Sequence, residues 1–132
     1  MSPSDALDFN DLKRISSEAA IEGFVAAEIL KSQVDRGECR ELYFFRDQQG
    51  LEVDFLIPRP NAGLWPVEAK ASKTVTPAMA ASLLSLQRAL GARAKRLIVA
   101  HRKFNSSVQT VAVARGVEAL DISQLVADLS RG

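Results

Sequence analysis

The sequence predicts a single α/β domain built on a mixed central sheet flanked by helices. Two observations carry that expectation. The apolar period changes along the chain from three or four residues to two and back again. A helical segment also separates the third strand-like run from the fourth, and a crossover of that kind makes the strands it joins parallel.

Residues 1–15 show no clear period and read as a loosely ordered lead-in, which leaves 16–132 as the domain. Ser16 or Ser17 is placed to cap a helix, with Glu18 in the first turn where the helix dipole favours an acid. Ile21, Phe24, Val25 and Ile29 then recur at helical spacing, predicting a helix over roughly 17–35 that stops near Gly37. Three strands follow. Glu41–Asp47 is β-rich, and Gln48, Gln49 and Gly50 make a tight hairpin turn. In the second strand Leu51, Val53, Phe55 and Ile57 alternate with Glu52, Asp54 and Leu56; Pro58 to Gly63 forms a loop. In the third, Trp65, Val67 and Ala69 alternate with Glu68 and Lys70.

Thr76 and Pro77 open a second helix as cap and first helical residue. Met79, Leu83, Leu86 and Leu90 are its apolar stripe, and Gly91 ends it. Lys95–Ala100 is a buried strand. Residues 106–115 suit a short helix or a strand equally. Val117–Ile122 is a last strand, and Asp121 or Ser123 caps a terminal helix with Leu125, Val126 and Leu129 inside. The order is α-β-β-β-α-β with an α/β tail.

Composition agrees with one globular core: 47% of residues are apolar and 25% charged. No apolar run reaches the roughly 20 residues that span a bilayer. The polar, acidic start is not a secretory leader, so a cytoplasmic protein is expected. Cys39 stands alone, which excludes an internal disulfide and a thiolate zinc cluster. The net charge of +1 hides an asymmetry. Thirteen acids and seven bases fall in residues 1–68, whereas 69–117 hold nine bases and no acid. That pattern suits a phosphate-facing surface beside a carboxylate-lined site, and equally a solvated basic face. Lys73, Arg88, Arg93 and Arg96 are the candidate nucleic-acid contacts.

Strand alternation makes Glu52 and Asp54 point together, and Glu68 and Lys70 point together. If the two strands pair, three carboxylates and one ammonium converge. Like charges in a poorly solvated patch repel, and a divalent cation or pairing with bases relieves the repulsion. Mg²⁺ takes oxygen ligands and retains waters; Asp54, Glu68 and the Ala69 carbonyl could hold it, with Lys70 acting on the attacking water. Without a metal, Lys70 simply pairs with Asp54 or Glu68 in a structural ion network. Of the remaining singular residues, His101 reads as a surface or capping residue and Trp65 as core.

Glu52-Val53-Asp54, thirteen residues, then Glu68-Ala69-Lys70 resembles the split signature of the PD-(D/E)xK phosphodiesterase superfamily. The stretches Ile21–Glu28, Leu42–Asp47 and Val67–Ser72 further resemble the uncharacterised domain found C-terminal to the ATPase module of bacterial and archaeal AAA-type ATPases. The resemblance covers roughly residues 16–100. It implies a restriction-endonuclease-like αβββαβ core, with Asp54, Glu68 and Lys70 catalytic and Mg²⁺ or Mn²⁺ as cofactor. Glu22 on the first helix matches the acid that often completes such sites. The implied function is metal-dependent nuclease action on DNA, or else a catalytically inactive nucleic-acid- or partner-binding module of an ATPase. Val53 stands where the signature has Pro. No G-x-x-x-x-G-K-[ST] is present, so these residues carry no ATPase of their own, and the chain reads as a relative or an excised domain of such an ATPase. In this reading Asp54, Glu68 and Lys70 sit side by side facing the first helix.

Overall fold

The computed structural model describes residues 9–60, 63–70, 77–101 and 110–131, with side chains from residue 20 onward except 110–113. The elements are α1 (Phe9–Asp35), β1 (Tyr43–Arg46), β2 (Glu52–Pro58), β3 (Leu64–Lys70), α2 (Ala81–Leu90), β4 (Leu97–His101), β5 (Thr110–Ala114), β6 (Val117–Asp121) and α3 (Ile122–Ser130). The strands form one mixed sheet in the order β1-β2-β3-β4-β6-β5. β1, β2 and β3 are antiparallel neighbours; β3, β4 and β6 run parallel; β5 returns antiparallel beside β6.

Two apolar clusters sandwich the sheet. Ile21, Val25 and Ile29 of α1 and Leu125 and Leu129 of α3 pack on Phe55, Ile57, Trp65, Val67, Ala69, Ile98 and Ala100. Leu83 and Leu86 of α2 pack on the other face against Val53, Leu97, Val99 and Val117. The apolar stripe is the expected one, with Met79 partly buried just before α2 and Leu90 partly buried at its end.

Several boundaries differ from the sequence reading. α1 runs from Phe9, so residues 9–15, expected in the lead-in, are helical, and Ser16 and Ser17 lie inside the helix rather than capping it; residues 1–8 lie outside the described residues. A serine caps only where the chain before it leaves helical geometry, and here the chain upstream is already helical. Pro77 opens a short 3₁₀ turn to Ala80 before α2 starts, while Thr76 lies outside the described residues. The ambiguous stretch 106–115 contains a strand over Thr110–Ala114. His101 is inside β4 and fully buried, because β4 is a central strand between β3 and β6. Asp121 caps α3, its carboxylate accepting from the Gln124 N–H at 2.8 Å.

Two turns frame β2 and β3. Asp47 closes the β1–β2 hairpin, its side chain accepting from the N–H groups of Gln49 and Leu51. Gly63, just before β3, has φ +68°, and a Cβ there would sit 2.5 Å from the Arg93 carbonyl oxygen. Backbone on backbone cannot yield as a flexible side chain can. Gly63→Ala is therefore expected to destabilise by about 1–3 kcal/mol in thermal melting, since it combines left-handed strain with a clash. A variant as stable as the parent would show that the loop repacks without loss.

Candidate functional site

The ladder between β2 and β3 runs from Pro58↔Leu64 to Phe55↔Val67. One step further, where Asp54 and Glu68 would pair, their side chains take over the bonding. Glu68 Oε1 accepts from the Asp54 N–H at 2.9 Å, and Asp54 Oδ2 accepts from the Ala69 N–H at 2.8 Å. Each carboxylate is fixed by the backbone of the opposite strand, so both lie in the gap between β2 and β3.

A bulge in β2 helps to aim Asp54. Tyr43 pairs with Leu56 and Phe45 with Val53, so two steps along β1 answer three along β2. The additional residue breaks the alternation there. Val53 packs on the α2 side, whereas Phe55 packs under α1. The expectation that Leu51, Val53, Phe55 and Ile57 share a face fails at this point. Bulges redirect side chains and twist strands locally; here the redirected residue is Asp54. It lines a cavity of about 300 Å³ with Glu22 of α1, Phe44, Phe45, Arg46, Glu52 and Val53.

Glu68 and Lys70 alternate with Val67 and Ala69, which lie under α1, and so stand on the α2 face of β3. The expectation that all three face the first helix fails for Glu68 and Lys70, and Asp54 alone shares a cavity with Glu22 of α1, since β3 stays regular where β2 bulges. The three nevertheless meet, because Asp54 reaches across the gap. Lys70 Nζ lies 3.6 Å from Glu68 Oε2. His101, in register with Lys70 on β4, shares the face of Leu97 and Val99, next to Lys70. Sequence reasoning missed it by placing it after the strand.

The electrostatics follow from this crowding. Glu68 is only 6% exposed. Burial, then the charge of Asp54, pushes its carboxyl from an ordinary 4.5 up to about 7, and the bond from Asp54 N–H and the nearby Lys70 offset only part of that. Among the described residues the patch brings two carboxylates to one ammonium, an arrangement that a further cation would suit. Two carboxylates with the Ala69 carbonyl are the hard oxygen donors that a divalent ion takes alongside water. Among the described residues no group of three or more His, Cys, Asp or Glu is arranged to hold a metal ion. Glu22 shares the cavity with Asp54 but is exposed on α1. Glu52 pairs with Arg46 at the surface, 2.8 Å away.

The candidate phosphate contacts do not form one patch. Arg88 and Arg93 are exposed at the end of α2, and Lys73 lies outside the described residues. Arg96 points to the other face, where its guanidinium donates to Glu118 and Asp128 and covers the Trp65 ring at 4.6 Å. Its charge is used in holding the fold. Trp65, expected in the core, is there.

The family model described as Domain of unknown function (DUF4143) matches residues 17–124, a span that contains all of β1–β6 and most of α1. It is an uncharacterised domain family often found next to AAA ATPases. No curated protein and no solved structure matches the chain. Among the described residues no helix is long and apolar enough to cross a membrane.

Proposed function

The chain belongs to the DUF4143 family, and from that premise we propose that it is a restriction-endonuclease-like PD-(D/E)xK domain that hydrolyses phosphodiester bonds in DNA. The observation that carries this reading is the reciprocal fixing of Asp54 and Glu68 where β2 and β3 part, with Lys70 beside them. A pair of carboxylates held by backbone N–H groups is preorganised, so no reorganisation is needed when charge develops nearby.

In this reading Asp54, Glu68 and the Ala69 carbonyl would hold Mg²⁺ or Mn²⁺, with Glu22 as an outer acid. The ion would lower the pKa of a bound water and neutralise the phosphoryl group. Lys70 orients that water or stabilises the negative charge that develops on the phosphate. Arg88 and Arg93, both exposed, would meet the DNA backbone. The cytoplasm is the expected compartment, and an AAA-type ATPase, in the same or another chain, the expected partner.

The second reading, a catalytically inactive binding or regulatory module of such an ATPase, draws on a specific observation too. Both carboxylates already bond to backbone, and Lys70 pairs with Glu68, as in a structural ion network. The two readings separate cleanly. The first expects DNA cleavage in millimolar Mn²⁺ or Mg²⁺, lost by about a hundredfold or more in Asp54→Asn and Lys70→Met, with metal raising the melting temperature of the parent but hardly that of Asp54→Asn. No cleavage, a melting curve indifferent to metal, and a markedly less stable Lys70→Met would sink it and leave the second.

A further inference from the structure

Phe44 is the most exposed large apolar side chain among those described, at 73%, and it sits on the edge strand of the sheet. Its neighbour Phe45 packs inward against the α2 cluster, so Phe44 projects to the α1 side. There it lies opposite the β2 bulge and walls the same cavity as Asp54. An aromatic ring left in water on an unpaired edge is a liability for a folded chain.

The lining narrows what could cover it. Among the described lining residues Arg46 pairs with Glu52, and Glu22 and Asp54 belong to the metal site of the phosphodiesterase reading, so the wall that Phe44 offers favours an uncharged, flat group. A nucleobase is such a group. It is neutral and flat, it stacks on a phenyl ring, and its amino and ring N–H groups donate to carboxylates. The cavity of about 300 Å³ is at the small end of ligand pockets, which suits one base better than a longer segment. Arg46 is half of an exposed ion pair of little net strength, and can turn to the adjoining phosphate.

We infer that this cavity takes one unpaired base of single-stranded DNA, stacked on Phe44 beside the phosphate addressed by Asp54 and Glu68. This rests on the phosphodiesterase reading for its substrate. A base held in a duplex is paired and stacked on both sides and cannot enter. The site therefore selects single strands, flaps or unpaired junctions over intact duplex.

The test is equilibrium binding of a fluorescein-labelled single-stranded oligodeoxynucleotide and of the matching duplex, measured in Ca²⁺ so that binding is read without turnover. The parent should favour the single strand. Phe44→Ala should lose about tenfold of single-strand affinity, the size of one base–aromatic stack, leave duplex affinity unchanged, and keep the same salt slope, since no phosphate contact is removed. Phe44→Trp should retain the preference. An unchanged single-strand to duplex ratio in Phe44→Ala, or equal loss on both substrates, overturns the inference. Cleavage in Mn²⁺ is scored separately. A parent that cleaves without a Phe44-dependent preference refutes the base pocket alone. A Phe44-dependent binder that never cleaves refutes the phosphodiesterase reading alone, and a chain that binds neither DNA refutes both.

Discussion

Replacing Trp65 with alanine is expected to lower the melting temperature by about 10–15 °C, the equivalent of roughly 4 kcal/mol in a domain of this size. The ring is buried at 9% exposure in the cluster beneath α1 and α3. Arg59 covers one side of it at 4.7 Å and Arg96 contacts it at 4.6 Å. Both guanidiniums are engaged elsewhere as well. Arg59 donates to the Leu129 carbonyl at the end of α3, and Arg96 binds Glu118 on β6 and Asp128 on α3. Removing the ring opens a cavity between two charges that keep their partners but lose their common platform. Trp65→Phe, which leaves an aromatic face, should recover more than half of the loss. A drop of only a few degrees in Trp65→Ala would mean that α3 is held by its apolar face alone.

That arrangement alters how the basic half of the chain should be probed. Charge reversal at Arg96 would weaken any DNA binding by loosening β6 and α3, whether or not Arg96 touches phosphate. Arg93→Glu is the cleaner probe, because Arg93 is exposed and, among the described residues, its side chain bonds only to the Leu90 carbonyl at 3.3 Å. In the DNA-binding reading it should reduce both affinity for DNA and its dependence on salt, with the melting temperature unmoved. Equal affinity in parent and variant would remove this face from the DNA contact.

Much of the sheet was legible because its signals are local. The hairpin turn, the alternation of β3 and the stripe of α2 each lie within a dozen residues, and the crossover before β4 is one helix long. Asp54 opposite Glu68 followed from counting along two such strands. What was not legible depends on three strands at once. Nothing in Val53-Asp54-Phe55 distinguishes a regular strand from a bulged one, since its apolar-polar-apolar pattern satisfies both. The bulge exists because β2 must match β1 on one edge and β3 on the other. The same holds for His101, whose burial comes from β6 closing over β4, and for Arg96, whose acids lie 22 and 32 residues away. Phe44 left a readable trace: in an edge strand with Phe45 turned inward, its neighbour must turn out.

Glu68 gives the second large effect, in the dependence of stability on pH. Its carboxyl is raised from 4.5 to about 7 in the folded chain, first by burial and then by Asp54. The folded state therefore holds a proton between these values that the unfolded state has released. Stability from this group is complete below about pH 4.5 and is lost as pH rises through about 7. Above that, the ionised Glu68 lies buried beside Asp54, and Lys70 offsets only part of the cost. Glu68→Gln keeps an oxygen for the Asp54 N–H and removes the charge. It should melt several degrees higher than the parent at pH 8, roughly match it at pH 5, and show a flatter profile between. In the metal-site reading Mn²⁺ would compete with the proton for the same oxygens, so it should raise the parent's melting temperature far more at pH 8 than at pH 5.5 and leave Glu68→Gln unmoved. Parallel pH profiles for parent and variant would show that Glu68 titrates as an ordinary carboxylate. A metal-induced rise equal at both pH values, or equal in both proteins, would place the ion away from Glu68.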